Sequence, residues 1–313
     1  MGRYLLRRLI IAIPSLIGIS IVLFAVLALA PGDPFGDLVQ SPDVPPEVRE
    51  ALRLKFGLDD PIPIRYLHWL VAMLNGDWGF SFVSRIDVDK LILERVPTTL
   101  FVLGSSQVLA LLIALPVGVY AAVRPYSVFD QIASALAFVG FSLPTFFTGL
   151  LFILVFSIYL HWLPFVYRTD VSAWEHVRQA VMPVAVLGLF QGASWTRYVR
   201  SAVLDVIRLD HVTTARAKGL PERAVILKHV VRNAMIPVVT LIALQMPTVF
   251  GGAIITEQIF RIPGIGSLLI SSILANDTPV VMAVTFVFAC LVILFNLLAD
   301  ILYGWLDPRI AYR

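Results

Sequence analysis

Six long stretches of the chain carry no Asp, Glu, Lys or Arg: 9–32, 96–123, 131–167, 179–196, 233–256 and 278–299. A spanning helix needs about 20 mostly apolar residues. Each stretch meets that length or nearly does, and 179–196 extends past Arg197, whose long stem carries its charge toward the headgroups. The 131–167 stretch exceeds one crossing; His161, Trp162 and Pro164 place its helix end near Tyr159. The run lengths exclude barrel strands, which alternate over about ten residues. Overall, 58% of residues are hydrophobic and 14% charged, against about 45–50% and about 25% in soluble domains. A water-soluble globule and a disordered chain are both excluded.

The first stretch is not a signal peptide by this reading. Arg3, Arg7 and Arg8 precede it, but Leu9–Ala30 outruns an h-region of about 7–15 residues, and Pro31 would directly follow the cleavage site. The remaining charges set the direction. With the N-terminus inside, the inner segments hold Arg3, Arg7, Arg8, Arg124, Arg309 and Arg313. The inner 197–233 segment adds Arg197, Arg200, Arg208, Arg216, Lys218, Arg223, Lys228 and Arg232. The short outer loops keep only Arg168, Arg178 and Arg261. This positive-inside bias puts both termini in the cytoplasm. The long segment 31–95 is then outside. Pro45-Pro46-Glu47 opens one expected helix there, ending at Gly57, and Tyr66, Leu67, Leu70, Val71 and Leu74 mark a second, ending at Asn75-Gly76.

The inner segment between spans four and five is the most informative. Val203, Leu204, Ile207, Val212 and Ala215 recur at helical spacing, Lys218 suits a helix C-terminus, and Gly219 suits a left-handed stop. Pro221-Glu222 starts another helix through Ala224, Ile226, Leu227 and Val230 toward Pro237. The expected shape is a short helix, a sharp turn and a second helix, forming a basic cytoplasmic protrusion.

That segment, Thr213-Thr214-Ala215-Arg216-Ala217-Lys218-Gly219, resembles the EAA-x3-G loop of ABC importer permeases in the oligopeptide/dipeptide branch. Further motifs follow in order. Leu6-Arg7-Arg8 with Ala30-Pro31-Gly32-Asp33-Pro34 resembles the family's opening, and Gly57-Leu58-Asp59-Asp60-Pro61 through Gly76-Asp77-Trp78-Gly79 its outer loop. Phe260-Arg261-Ile262-Pro263-Gly264-Ile265-Gly266 and Leu306-Asp307-Pro308-Arg309 also match. Thr213 and Thr214 replace the motif's Glu-Ala, and His229, Val230, Val231 and Arg232 stand in place of its Ile-x-Leu-Pro end, as is usual in the peptide branch.

The resemblance implies an all-α membrane protein of six transmembrane helices, like a type I ABC importer permease with a cytoplasmic coupling helix. Residues 1–95 would form the first span plus a large periplasmic loop, and 96–313 a five-helix core with coupling loop 197–233. It implies a bacterial inner-membrane location and a heterodimer with a second permease. It also implies two ATPase subunits using ATP and magnesium, and an extracytoplasmic substrate-binding protein. Thr213, Thr214, Ala215, Arg216, Ala217, Lys218, Gly219, His229 and Arg232 are the expected ATPase-coupling residues. The substrate is expected to be di- or oligopeptide; the same branch also includes nickel, glutathione and oligosaccharide importers.

The chain itself has no GxxxxGK[ST] run, so ATP hydrolysis is expected elsewhere. Scattered histidines, a single Cys290 and no HExxH give no metal cluster, and no catalytic residue or nucleic-acid site is expected. Polar residues inside membranes usually face a bundle interior. Gln107, Ser142, Thr145, Gln191, Gln245 and Asn296 are therefore the candidate pathway-lining residues. An ion-coupled carrier or channel usually places a charge at mid-membrane, and none is centred in these stretches. An intramembrane enzyme needs a base facing its nucleophile, and no mid-span His is available.

Overall fold

Helices occupy all six charge-free stretches. The structure, a computed structural model, describes residues 2–29, 50 and 60–306. The expected outer helix at 45–57 and the motifs at 30–34, 57–59 and 307–309 lie outside the described residues. Among the described residues there is no β-strand, only an isolated antiparallel bridge between Phe80 and Asp87.

The helices are α1 (Gly2–Ala28), α2 (Ile62–Leu74), α3 (Val88–Val123), α4 (Val128–Ser142) and α5 (Thr145–Phe152), which continues as a π-helical segment, Ile153–Tyr159. Then come α6 (Ala173–Ile207) and α7 (Asp210–Ala217). A short turn, Glu222–Ala224, runs through a second π-helical segment, Val225–Val231, into α8 (Arg232–Ile259). The chain closes with α9 (Ile265–Leu274) and α10 (Thr278–Leu306).

Two differences from the sequence reading stand out. The third stretch ends at Tyr159 as expected, but it is not one helix: α4 and α5 meet at Leu143-Pro144 with a bend of 100°. Leu143 is extended (φ −83°, ψ 127°), as a residue before proline prefers. The second difference is α6. Four described stretches are long and apolar enough to cross a membrane, and the bent pair makes a fifth; α6 is not among them. It packs against α4, α5 and α8, burying Gln179, Gln191, Ser194 and Trp195. A helix enclosed by other helices meets side chains rather than lipid, so it tolerates polar residues that an exposed span does not. Pro183 sits inside it without a break.

The chain forms two compact units. The first comprises residues 1–5, 98–263 and 294–313. In it α3 and α6 approach so closely at Gly118 that a Cβ there would lie 2.8 Å from Val199 Cβ and 2.9 Å from the Thr196 carbonyl. One buried cluster joins Ala110 and Ala114 of α3, Trp195, Val199 and Val203 of α6, Val212 and Ala215 of α7, and Ala234 and Val238 of α8. Where α4 begins, Arg200 of α6 pairs in bidentate fashion with Asp130, which is 4% exposed. The Tyr126 backbone N–H also donates to Asp130.

The second unit comprises residues 6–97 and 264–293. Its α2 ends at Asn75 and a left-handed Gly76 (φ +87°), matching the expected stop. Phe24, Tyr66 and Trp69 pack together, and the Ser20 and Tyr66 hydroxyls lie 2.9 Å apart. The turn at 81–86 is held by Asp277, which accepts from the Ser81 hydroxyl at 2.5 Å and from the Phe82 N–H at 3.3 Å.

Candidate functional site

The expected short helix, turn and second helix are present, but Val203, Leu204 and Ile207 belong to the end of α6, and a break at Arg208-Leu209 separates them from Val212 and Ala215 in α7. The eight-residue α7 is followed by Gly219 in the left-handed region (φ +75°), its N–H donating to the Arg216 carbonyl at 2.9 Å. Only glycine enters that region without a Cβ penalty. Arg216 reaches across the turn to Glu222, Nη2 to Oε1 at 2.8 Å, which braces the two limbs. The hydrogen bond to Glu222 also raises Arg216 above its ordinary pKa.

The candidates divide by face. Thr213, Thr214, Arg216, Ala217, Lys218 and Gly219 are exposed, whereas Ala215 is buried beside Val212 in the core shared with α3, α6 and α8. Small side chains on one face thus bind the protrusion to the helical bundle. His229 joins the assembly through its backbone: its carbonyl accepts from Asn233 Nδ2 at 2.7 Å, and His211 Nε2 of α7 lies 3.3 Å from the same oxygen. His211 and Asn233 were not among the sequence candidates; only their separation of 22 residues, bridged by the turn, brings them together. Arg232 is exposed at the start of α8.

Three of the six polar candidates converge. Thr145 of α5, Gln191 of α6 and Gln245 of α8 line one groove of about 540 Å³ at the bend between α4 and α5. Such a volume suits a small ligand, for which pockets run about 300–1,000 Å³. Phe141, Phe146 and Phe190 supply its aromatic wall, with Phe141 and Phe190 stacked at 5.7 Å between centroids. Gln245 Oε1 accepts from Trp195 Nε1 at 2.9 Å, fixing that amide. Ser194 also lines the groove and was missed, although its i, i+3 spacing from Gln191 puts both on one helix face.

The other three candidates do not reach this groove. Ser142 donates to the Phe138 carbonyl of its own helix at 2.7 Å, and Asn296 is exposed. Gln107 donates to Ser106 Oγ at 3.2 Å, and its buried Oε1 has no partner among the described residues. No group of three or more His, Cys, Asp or Glu that could hold a metal occurs among the described residues.

Comparison with known proteins identifies the family and its relatives. Residues 114–312 match the family described as binding-protein-dependent transport system inner membrane component, and residues 1–103 match its N-terminal family. The chain is 42% identical over 317 residues to the oligopeptide transport system permease protein AppB of Bacillus subtilis, covering 100% of both chains. It is 37% identical over 338 residues to the dipeptide transport system permease protein DppB of Escherichia coli, again with 100% of both covered. The glutathione transport system permease protein GsiC of Salmonella typhimurium is 38% identical over 313 residues, with the same full coverage.

Proposed function

Because the chain belongs to the binding-protein-dependent transport system inner membrane component family, we propose that it is the membrane permease of an ATP-driven importer of di- and oligopeptides. A binding protein on the outer face releases substrate to the permease and a second, similar permease subunit. Two ATPase subunits, which hold ATP and magnesium, close against each other on the cytoplasmic side. That movement displaces α7, and the spans alternate between outward and inward access. Thr213, Thr214, Arg216, Ala217, Lys218 and Gly219 present the docking surface, and both termini face the cytoplasm.

The observation that carries this reading is the buried core shared by α7, α3, α6 and α8. A displacement of α7 cannot be absorbed locally, since close-packed interiors transmit strain rather than deform. The relatives named for oligopeptide and dipeptide transport support peptide as the cargo. The relative named for glutathione supports a second reading; glutathione is itself a tripeptide, so the two differ in one substrate rather than in mechanism.

Uptake of labelled dipeptide, tripeptide and glutathione in a deletion strain, restored by this chain, tests the cargo. Restored peptide uptake supports the reading, and loss of no peptide uptake on deletion overturns it. Co-purification of two ATPase chains tests the assembly. Orientation is tested in a Cys290→Ala background: Ser84→Cys should react with an impermeant thiol reagent on spheroplasts and Ser201→Cys should not. Both serines are exposed.

A further inference from the structure

The groove at the bend holds a second feature that the reading above does not use. Helix α5 starts inside it. Pro144 precedes the helix and no side chain caps it. The first N–H groups of any helix lack an intrahelical partner, and here the first internal bond of the turn is Thr148 N–H to the Pro144 carbonyl at 3.1 Å. Thr145 and Phe146, whose N–H groups precede that bond, both line the groove. A helix N-terminus carries the equivalent of about half a positive charge.

Across the groove, Gln191 and Ser194 are 7% and 8% exposed. Neither has a hydrogen-bond partner among the described residues. Their polar atoms are not sealed against protein but open on the groove, so a molecule lying there is what can meet them. The groove is lined by no Lys, Arg, Asp or Glu.

We infer that the N-terminus of α5, with Gln191 and Ser194, binds the C-terminal carboxylate of a transported peptide, while Phe141, Phe146 and Phe190 receive its last side chain. The inference rests on the peptide reading above. These two sides carry donors: the uncapped N–H groups at the start of α5, the Gln191 NH₂ and the Ser194 hydroxyl. A carboxylate accepts from all of them, and a helix N-terminus stabilises an anion and repels an ammonium group. Broken membrane helices place partial charges at substrate in this manner, without the cost of burying a full ionic side chain. Such a site favours the anion while holding it loosely, as a carrier that must release its cargo requires.

The test uses the purified permease–ATPase complex in lipid nanodiscs, without binding protein, and alanylphenylalanine against its C-terminal amide. The acid should bind about tenfold more tightly than the amide, the scale of a favourable helix-end interaction. Thr145→Asp puts a carboxylate of the protein's own at the helix start, which suits helix folding there, and should remove the preference by weakening the acid form alone. Thr145→Asn, similar in size and uncharged, should keep it. Gln191→Leu with Ser194→Ala is an independent route and should also narrow the preference.

Equal binding of acid and amide by the wild type, a preference undiminished in Thr145→Asp, or no binding of the acid up to about 10 mM overturns the site. Uptake of labelled alanylphenylalanine by whole cells is measured alongside. Absent uptake overturns the peptide reading itself, whereas normal uptake with no acid preference in the complex overturns the carboxylate site alone.

Discussion

The coupling turn and the groove at the α4–α5 bend lie in the same compact unit, yet they treat their polar groups in opposite ways. At the turn and at the start of α4, specific pairs brace the helices: Arg216 with Glu222, the His229 carbonyl with Asn233, and Asp130 with Arg200. In the groove, Gln191 and Ser194 stay unpartnered although they are more than nine-tenths buried. The contrast matches two tasks. In the proposed mechanism α7 acts as a lever, and the close-packed core beneath it with these few braces removes the slack. In the carboxylate site proposed above the groove takes and releases a guest, and these open polar groups provide the grip.

The largest expected effect breaks the paired side. Arg200→Met leaves Asp130 nearly buried with only neutral donors, and removing one partner of a buried ion pair costs about 3–5 kcal/mol. Thermal melting of the purified complex should show it. Asp130→Asn should cost less, because Arg200 is 28% exposed and can reach water. Equal losses from the two variants would mean that the pair is not the buried anchor described.

Next is Gly118→Ala. The atoms a Cβ would meet include the Thr196 backbone carbonyl at 2.9 Å, which cannot swing aside. Overpacking of this kind costs roughly 1–3 kcal/mol, and it spreads α3 from α6 beneath α7. Uptake should fall together with melting temperature.

Gly219→Val comes third and separates rigidity from stability. No atom lies within 4 Å of a Cβ at this position, so the cost is conformational alone. Forcing a non-glycine residue left-handed costs about 1–2 kcal/mol. Insertion of the spans should survive while uptake falls at least about tenfold, the factor equivalent to about 1.4 kcal/mol. Normal uptake with normal ATPase association would remove the coupling role.

The smallest effect sharpens the other side. Ser142→Ala removes a hydroxyl already satisfied by its own helix and outside the groove. Stability should change by less than about 0.5 kcal/mol, and uptake kinetics should match the wild type. A large rise in KM would put Ser142 itself in contact with substrate.

What the sequence made legible is what local chemistry decides. Gly219, the stop at Gly76 and the helix end at Tyr159 follow from residues within a few positions of each other. Proline marks the boundary of that power. Pro183 lies inside an unbroken α6 and Pro144 at a 100° break, and the letter is the same in both. Which outcome follows depends on neighbours supplied by the tertiary fold, since packing and side-chain partners offset the lost hydrogen bond in one place and not the other.

The same holds for the pairs inside each unit. Asp130 and Arg200 are 70 positions apart, and Ser81 and Asp277 are 196 apart. Charge-free stretches locate the helices but carry no information on which of their polar residues share a neighbour. Gln191 stood out as a lone polar residue in an apolar run. Ser194 did not, because serine is common in such runs as a residue that bonds its own backbone.

The π-helical segment Val225–Val231 between the coupling turn and α8 fixes a phase relation. Its i→i+5 bonding takes up one residue more per turn than α-helical bonding does. The axis-facing pattern of α8 is therefore turned by about 100° from where an uninterrupted α-helix would have set it, the angular step of a single residue. Which face of α8 meets α6, and which meets the groove through Gln245, is indexed to that one surplus residue. Shortening the segment by one position would leave composition and hydropathy almost untouched, yet bring a different row of side chains into the passage.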